Sequence, residues 1–155
     1  MKKIASFTVD HDFVDKGMYI SRIDGDVVTY DVRMKKPNGG EYLEMPAAHT
    51  LEHLFATYAR NSGVGDQVIY VGPMGCRTGF YFLVRDSVSH QRAIEIVREG
   101  MAFARDFVGE VPGVSRKECG NYLEHDLAGA KKIGADMYEV LKNWTADKLA
   151  YRLCE

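Results

Sequence analysis

The segment His49-Thr50-Leu51-Glu52-His53 is an H-x-x-E-H arrangement. A chain with five histidines in 155 residues acquires one by chance in only roughly 0.01 cases. On a helix turning about 100° per residue, His49 and His53 fall about 40° apart on one stripe, and Glu52 lies about 60° to the other side of His49. Two neutral nitrogen donors with a carboxylate beside them suit a divalent cation and the proton transfers it promotes. Leu51, Leu54, Phe55 and Tyr58 fall at i, i+3, i+4 and i+7, an apolar stripe pointing the opposite way. The histidine face is therefore not the core face, and only Ala56 and Arg60 continue it. Two solvent-facing histidines would be the ordinary reading of a bare H-x-x-x-H. Glu52 and two glycine-flanked cysteines favour a metal site instead.

A catalytic metal needs a third protein donor and an open coordination position. Cys119, Cys76, His125 and Glu124 can each supply that donor, and spacing does not choose among them. Cys119-Gly120 follows a polar loop, whereas Cys76 follows a strand in a Gly-Pro-Met-Gly turn. If one cysteine binds metal, the other is a reactive thiol near a cation, where the metal and Arg77 favour its thiolate. Cys154, one residue from the end of the sequence, reads as an inert thiol.

The elements that must position these groups follow from periodicity. Residues 18–23 and 27–34 are β-rich runs flanking Asp24-Gly25, a hairpin signal, and 37–40 form a turn or loop. Residues 47–61 read as a helix ended by Gly63 in the left-handed conformation. Two more strands are expected over 67–71 and 78–84. Ser87 or Ser89 then caps a long helix burying Ile96, Val97, Met101, Ala104, Phe107 and Val108. After a loop at 109–120, Asp126 caps a last helix carrying Leu127, Ile133, Met137 and Leu141, and Thr145 caps a short tail helix. The order ββαββαα predicts an α+β two-layer sandwich, a mainly antiparallel β-sheet with helices packed on one face.

Composition narrows the partners. Twenty Lys+Arg against 22 Asp+Glu, a net charge of −2 and a pI near 6.2 give no bulk attraction to nucleic acid or anionic membranes. No apolar run approaches the roughly 20 residues needed to span a bilayer. Met1-Lys2-Lys3 is basic like a leader, but Asp10-His11-Asp12 interrupts the apolar stretch. Three cysteines are an odd number and make no disulfide framework. The expectation is one cytoplasmic domain over residues 1–155 with free thiols.

Five segments then occur in a telling order: Ser6-Phe7-Thr8-Val9-Asp10-His11; Asp31-Val32-Arg33 with Pro37-Asn38; His49 to Leu54; Pro73-Met74-Gly75-Cys76-Arg77-Thr78-Gly79-Phe80-Tyr81; and Glu118-Cys119-Gly120-Asn121 with His125-Asp126-Leu127. Together, over about residues 6–132, they closely resemble the LuxS family of S-ribosylhomocysteine lyases. The resemblance implies that His49, His53 and Cys119 are metal ligands for one divalent ion per subunit, Fe²⁺ being expected and Zn²⁺ or Co²⁺ able to replace it. It implies that Glu52 and Cys76 are the acid/base pair and that Ser6, His11 and Arg33 hold the ribose. It also implies a homodimer with two active sites at the subunit interface, which would cover a metal face directed away from the core stripe. The implied reaction cleaves the thioether of S-ribosylhomocysteine to homocysteine and 4,5-dihydroxy-2,3-pentanedione, the autoinducer-2 precursor, without nicotinamide or flavin.

The chain departs from that family's pattern at Tyr70 and Gly72, where an acidic residue and a serine are usual, and at Met34-Lys35-Lys36, where an aromatic and a glutamine are common. These changes bear on substrate contacts and leave the metal and acid/base residues untouched. Asp126 reads as a helix cap rather than a catalyst, and His125 as a residue that packs or hydrogen-bonds locally. Two other classes compete. An inverzincin-type metallopeptidase uses the same H-x-x-E-H geometry, but such enzymes take a downstream glutamate and are much larger. A non-catalytic metal-binding protein would have a closed site of four protein ligands.

Overall fold

A computed structural model describes residues 1–152, so Cys154 lies outside the described residues. Strand β1 (Gly17–Asp24) pairs antiparallel with β2 (Val27–Arg33), Asp24 opposite Val27. The two-residue loop begins with Gly25 at φ 59°, the position where a type II′ turn places glycine. Strand β4 (Gly79–Arg85) lies on the other side of β2, and β3 (Val68–Pro73) pairs with β4, giving an antiparallel sheet of order β1-β2-β4-β3.

Helices α1 (Met45–Asn61), α2 (His90–Asp106) and α3 (Leu127–Leu141) pack against one another. They share one core with Val28, Tyr30 and Val32 of β2 and Phe80, Phe82 and Val84 of β4. Leu51, Leu54 and Phe55 are fully buried in it, as their helical spacing predicts. Truncating such a side chain to alanine costs about 2–5 kcal/mol. The expected α+β sandwich is the observed architecture.

Several boundaries differ for local reasons. Helix α1 begins two residues earlier than 47 because Pro46 fits a first turn, where no N–H partner is needed. It ends before Gly63: Ser62 is extended (φ −73°, ψ 171°), and its hydroxyl donates to the Ala59 carbonyl at 2.7 Å. No left-handed glycine is required there. Ser89 rather than Ser87 caps α2, accepting from Arg92 N–H at 3.1 Å, while the Ser87 hydroxyl pairs with Gln67. Helix α2 stops at Asp106 because Phe107 turns extended, so Val108 is exposed instead of buried. The tail forms a 3-10 turn, Ala146–Lys148, and the Thr145 hydroxyl meets the Asp147 side chain rather than the helix backbone.

Strand β2 does not alternate in burial. Asp31 and Arg33, on its face away from the helices, are 1% and 3% exposed. The C-terminal tail accounts for part of this cover. Ile20 N–H donates to the Leu149 carbonyl at 2.7 Å, so the chain crosses the outer edge of β1. The Trp144 indole N–H donates to the Met18 carbonyl at 3.0 Å. Gly17 leaves room for that indole, since a Cβ there would collide with Trp144 Cη2. Tyr151 then stacks on Tyr19, centroids 5.0 Å apart.

Candidate active site

Helix α1 presents His49 and His53 on the face turned from its core stripe, and both are half-buried. The segment between α2 and α3 closes over them. His49 Nδ1 donates to the Glu124 carbonyl at 2.7 Å, and His53 Nδ1 donates to the Pro112 carbonyl at 2.8 Å. A carbonyl only accepts, so each neutral imidazole carries its proton on Nδ1 and keeps its Nε2 lone pair free. Gly113, at φ 76°, permits the close approach: a Cβ there would lie 3.1 Å from His53 Nδ1.

Cys119 Sγ lies 3.4 Å from His49 Nε2 and accepts from Asn121 N–H at 3.4 Å. His125 completes the group. Its ring stacks on His49 with centroids 4.0 Å apart, and its Nδ1 lies 2.9 Å from the Thr50 hydroxyl oxygen. That hydroxyl also accepts from Asp126 N–H and donates to the Pro46 carbonyl, an arrangement in which His125 Nδ1–H is the donor. One donor atom from each of His49, His53, Cys119 and His125 lies within 4.8 Å of the others.

The donor set fits one metal ion. His125 Nε2 is buried and has no hydrogen-bond partner among the described residues, a costly state for a polar atom that ligation or a close cation relieves. Burial and then the neighbouring His49 and His53 hold the His125 pKa below its ordinary value, which keeps the ring neutral. The carbonyls of Glu124 and Pro112 fix the two α1 imidazoles, as outer partners of metal-bound histidines do.

A cavity of about 500 Å³ opens beside this cluster, lined in part by His49, Glu52, Met74, Gly75, Arg77 and Asn121. Glu52 lines the cavity together with His49 and does not belong to the donor group. Cys76 is exposed at the β3–β4 turn, between the lining residues Gly75 and Arg77. That turn is held by Met74 N–H to Gly79 O at 2.9 Å and Arg77 N–H to Met74 O at 3.0 Å. Arg77 has φ 60°, an uncommon conformation for a non-glycine residue and a form of strain concentrated at functional sites.

The remaining expected site residues lie outside the lining of this cavity. Ser6 and His11 lie in or beside two short 3-10 turns near the N-terminus, and neither lines this cavity. Arg33 is buried, with Nε and Nη2 donating to Asp31 at 3.1 and 2.6 Å and Nη1 donating to the Thr78 hydroxyl at 2.8 Å. His125, one of the four possible third donors and also read as a residue that packs or hydrogen-bonds locally, stacks on His49, bonds Thr50 and belongs to the donor cluster. The face of α1 expected to need a second subunit as cover is closed on one side by the chain's own segment 107–126. Thr50 was not singled out by its sequence neighbourhood, because its role depends on a partner 75 residues away. Asp126 is the cap of α3, accepting from Gly129 N–H at 2.9 Å.

Comparison with known proteins gives a consistent answer. A family model described as S-ribosylhomocysteinase (LuxS) matches residues 4–148. The S-ribosylhomocysteine lyase of Phocaeicola vulgatus is 47% identical, the alignment covering 97% of this chain and 98% of the relative. That of Clostridium acetobutylicum is 44% identical over 97% and 99%, and that of Borreliella burgdorferi 40% over the same shares.

Proposed function

From the premise that this chain belongs to the LuxS family of S-ribosylhomocysteinases, we propose that it is itself an S-ribosylhomocysteine lyase, a carbon–sulfur lyase cleaving that thioether to homocysteine and 4,5-dihydroxy-2,3-pentanedione. The observation that carries the reading is the junction of a metal-fitting donor cluster with an open cavity at His49 and Glu52. Four available donors is also the count of a closed structural site. The cavity and a carboxylate outside the donor group favour the catalytic reading.

His49, His53 and Cys119 hold the ion, and His125 forms the fourth wall. A thiolate with imidazoles suits Fe²⁺, Zn²⁺ or Co²⁺ over Mg²⁺ or Ca²⁺, and Fe²⁺ is the resident ion by family resemblance. The bound metal supplies Lewis-acid polarisation of the sugar oxygens, which acidifies the adjacent C–H bonds. Glu52 and Cys76 carry the protons, taking one from C2 and returning it to C1, then from C3 to C2, so that the carbonyl moves from C1 to C3. Removal of the C4 proton then expels homocysteine thiolate from C5 by β-elimination. The redox change stays within the sugar, and no external oxidant is needed.

The active form is a cytoplasmic homodimer built from one domain per chain. Support comes from the N-terminal region, where Ile4, Phe7 and Phe13 are exposed apolar side chains around Ser6 and His11, an uncovered patch of the kind interfaces use. Ser6 and His11 reach the ribose in the partner's cavity. Arg33, joined to the Cys76 turn through Thr78, is the third residue that holds the ribose. Among the described residues no helix is long and apolar enough to cross a membrane. The direct test is homocysteine thiol released from S-ribosylhomocysteine by metal-loaded protein. Release at a rate above metal alone supports the reading, and its absence with one metal bound per chain refutes it.

A further inference from the structure

A line of hydrogen bonds joins the C-terminal tail to the cysteine of the β3–β4 turn. The Tyr151 hydroxyl donates to Asp31 Oδ2 at 2.7 Å, and Asp31 holds Arg33 through both carboxylate oxygens. Arg33 Nη1 donates to the Thr78 hydroxyl at 2.8 Å, and that hydroxyl lies 3.1 Å from Cys76 Sγ. Asp31, Arg33 and Thr78 are all buried, so their polar atoms depend on one another rather than on water.

The direction of each bond as far as Thr78 is fixed. Burial, then the charge of Asp31, holds the Tyr151 phenol above its ordinary range, so it remains a donor. Burial opposes the Arg33 charge, but the hydrogen bond and charge of Asp31 outweigh it, and the guanidinium is always a donor. Thr78 Oγ1 accepts from Arg33 and keeps its own proton, which it donates to the sulfur whenever Cys76 is the thiolate.

We propose that Tyr151 is a positioning residue for the reaction, acting through Asp31, Arg33 and Thr78 to keep a hydroxyl donor aimed at the Cys76 sulfur. The inference rests on the proposed acid/base role of Cys76. Tyr151 packs on Tyr19 by its ring, so its hydroxyl can be removed without removing the packing. Without that hydroxyl, Asp31 loses one of two donors on Oδ2. The carboxylate and Arg33 then rearrange, and Thr78 loses its fixed orientation. Because the tail is tied to β1 at Ile20 and Met18, a change at that edge would also reach the turn.

The test uses the metal-loaded full chain with Tyr151→Phe and follows iodoacetamide alkylation of Cys76 at neutral pH, read on the Cys76 peptide by mass spectrometry. Alkylation of Cys76 should slow by about 3–10-fold, with Cys119 and the metal content unchanged, and kcat should fall in parallel while KM holds. Thr78→Ser should retain wild-type alkylation and Thr78→Val should resemble Tyr151→Phe. Wild-type alkylation and kcat in Tyr151→Phe would overturn the inference, as would a loss of thermal stability alone. Full lyase activity in Cys76→Ala would refute the role of Cys76 itself, which the alkylation rates do not depend on.

Discussion

Thr50 Oγ1 and His125 Nδ1 lie 2.9 Å apart, joining the centre of α1 to the residue before the cap of α3. The same hydroxyl takes Asp126 N–H, so one threonine fixes both the histidine and the start of the helix. Thr50 is fully buried, and valine would fill its volume without meeting either partner. Thr50→Val should destabilise the protein by about 1–3 kcal/mol in urea denaturation. It should also weaken metal binding in competition with a chelator. Unchanged metal affinity would detach His125 from the metal cluster.

Loading with Co²⁺ should produce a sulfur-to-metal charge-transfer band. Cys119→Ala is expected to abolish it and Cys76→Ala to leave it in place, because Cys119 Sγ, not Cys76, lies in the donor cluster. The opposite pattern reverses the ligand assignment. His125→Gln should keep close to one metal per chain while lowering the affinity.

Glu52 borders the cavity but lies outside the donor group, so Glu52→Gln should preserve metal content. Loss of a general acid/base typically costs about 10²–10⁴ in rate. Both homocysteine release and exchange of the substrate C2 proton with D₂O should fall by at least that range. Metal loss in this variant would make Glu52 a ligand instead.

If Ser6 and His11 serve the partner's cavity, two inactive variants can complement each other. Mixing Glu52→Gln with His11→Gln dimers and allowing subunit exchange should restore about a quarter of wild-type activity, from one intact site in each mixed dimer. No recovery after demonstrated exchange would place His11 and Glu52 of one chain at the same site.

Burial pushes the Tyr30 phenol up to about 12, and its hydroxyl meets His90 Nδ1 at 2.6 Å. The unfolded chain ionises this group near pH 10, while the folded protein keeps it neutral. The associated stability is present below about pH 10 and is lost as pH rises toward 12. Urea midpoints should therefore fall across that window. Tyr30→Phe should lower the neutral-pH stability by about 1 kcal/mol yet flatten part of the alkaline fall. Tyr58, also pushed to about 12 by burial and Glu99, accounts for a further share.

The histidine face and the sheet pattern were legible because they depend on periods within single elements. Leu51, Leu54 and Phe55 sit where a 3.6-residue repeat puts them, and His49 and His53 fall opposite. The cover over that face was not legible. Pro112 and Glu124 act through backbone carbonyls, which any residue possesses, and segment 107–126 has no period to read. The partners of His125 were not legible, because Thr50 and His49 reach it from another helix. Arg33 was legible only as part of a motif: that its guanidinium is held by Asp31 and Thr78 depends on a residue 45 positions away, which no local spacing announces.

The tail across β1 also bears on behaviour in a crowded solution. A sheet's outermost strands offer unpaired backbone groups on which other chains can add, the usual start of aggregation. Here the Ile20 N–H on β1 is occupied by Leu149. At the opposite edge, the Arg60 guanidinium covers the carbonyls of Val68 and Ile69, at 3.1 and 3.0 Å. The sheet is thus guarded at both margins by the chain itself, and shortening the tail would open a growth front on β1.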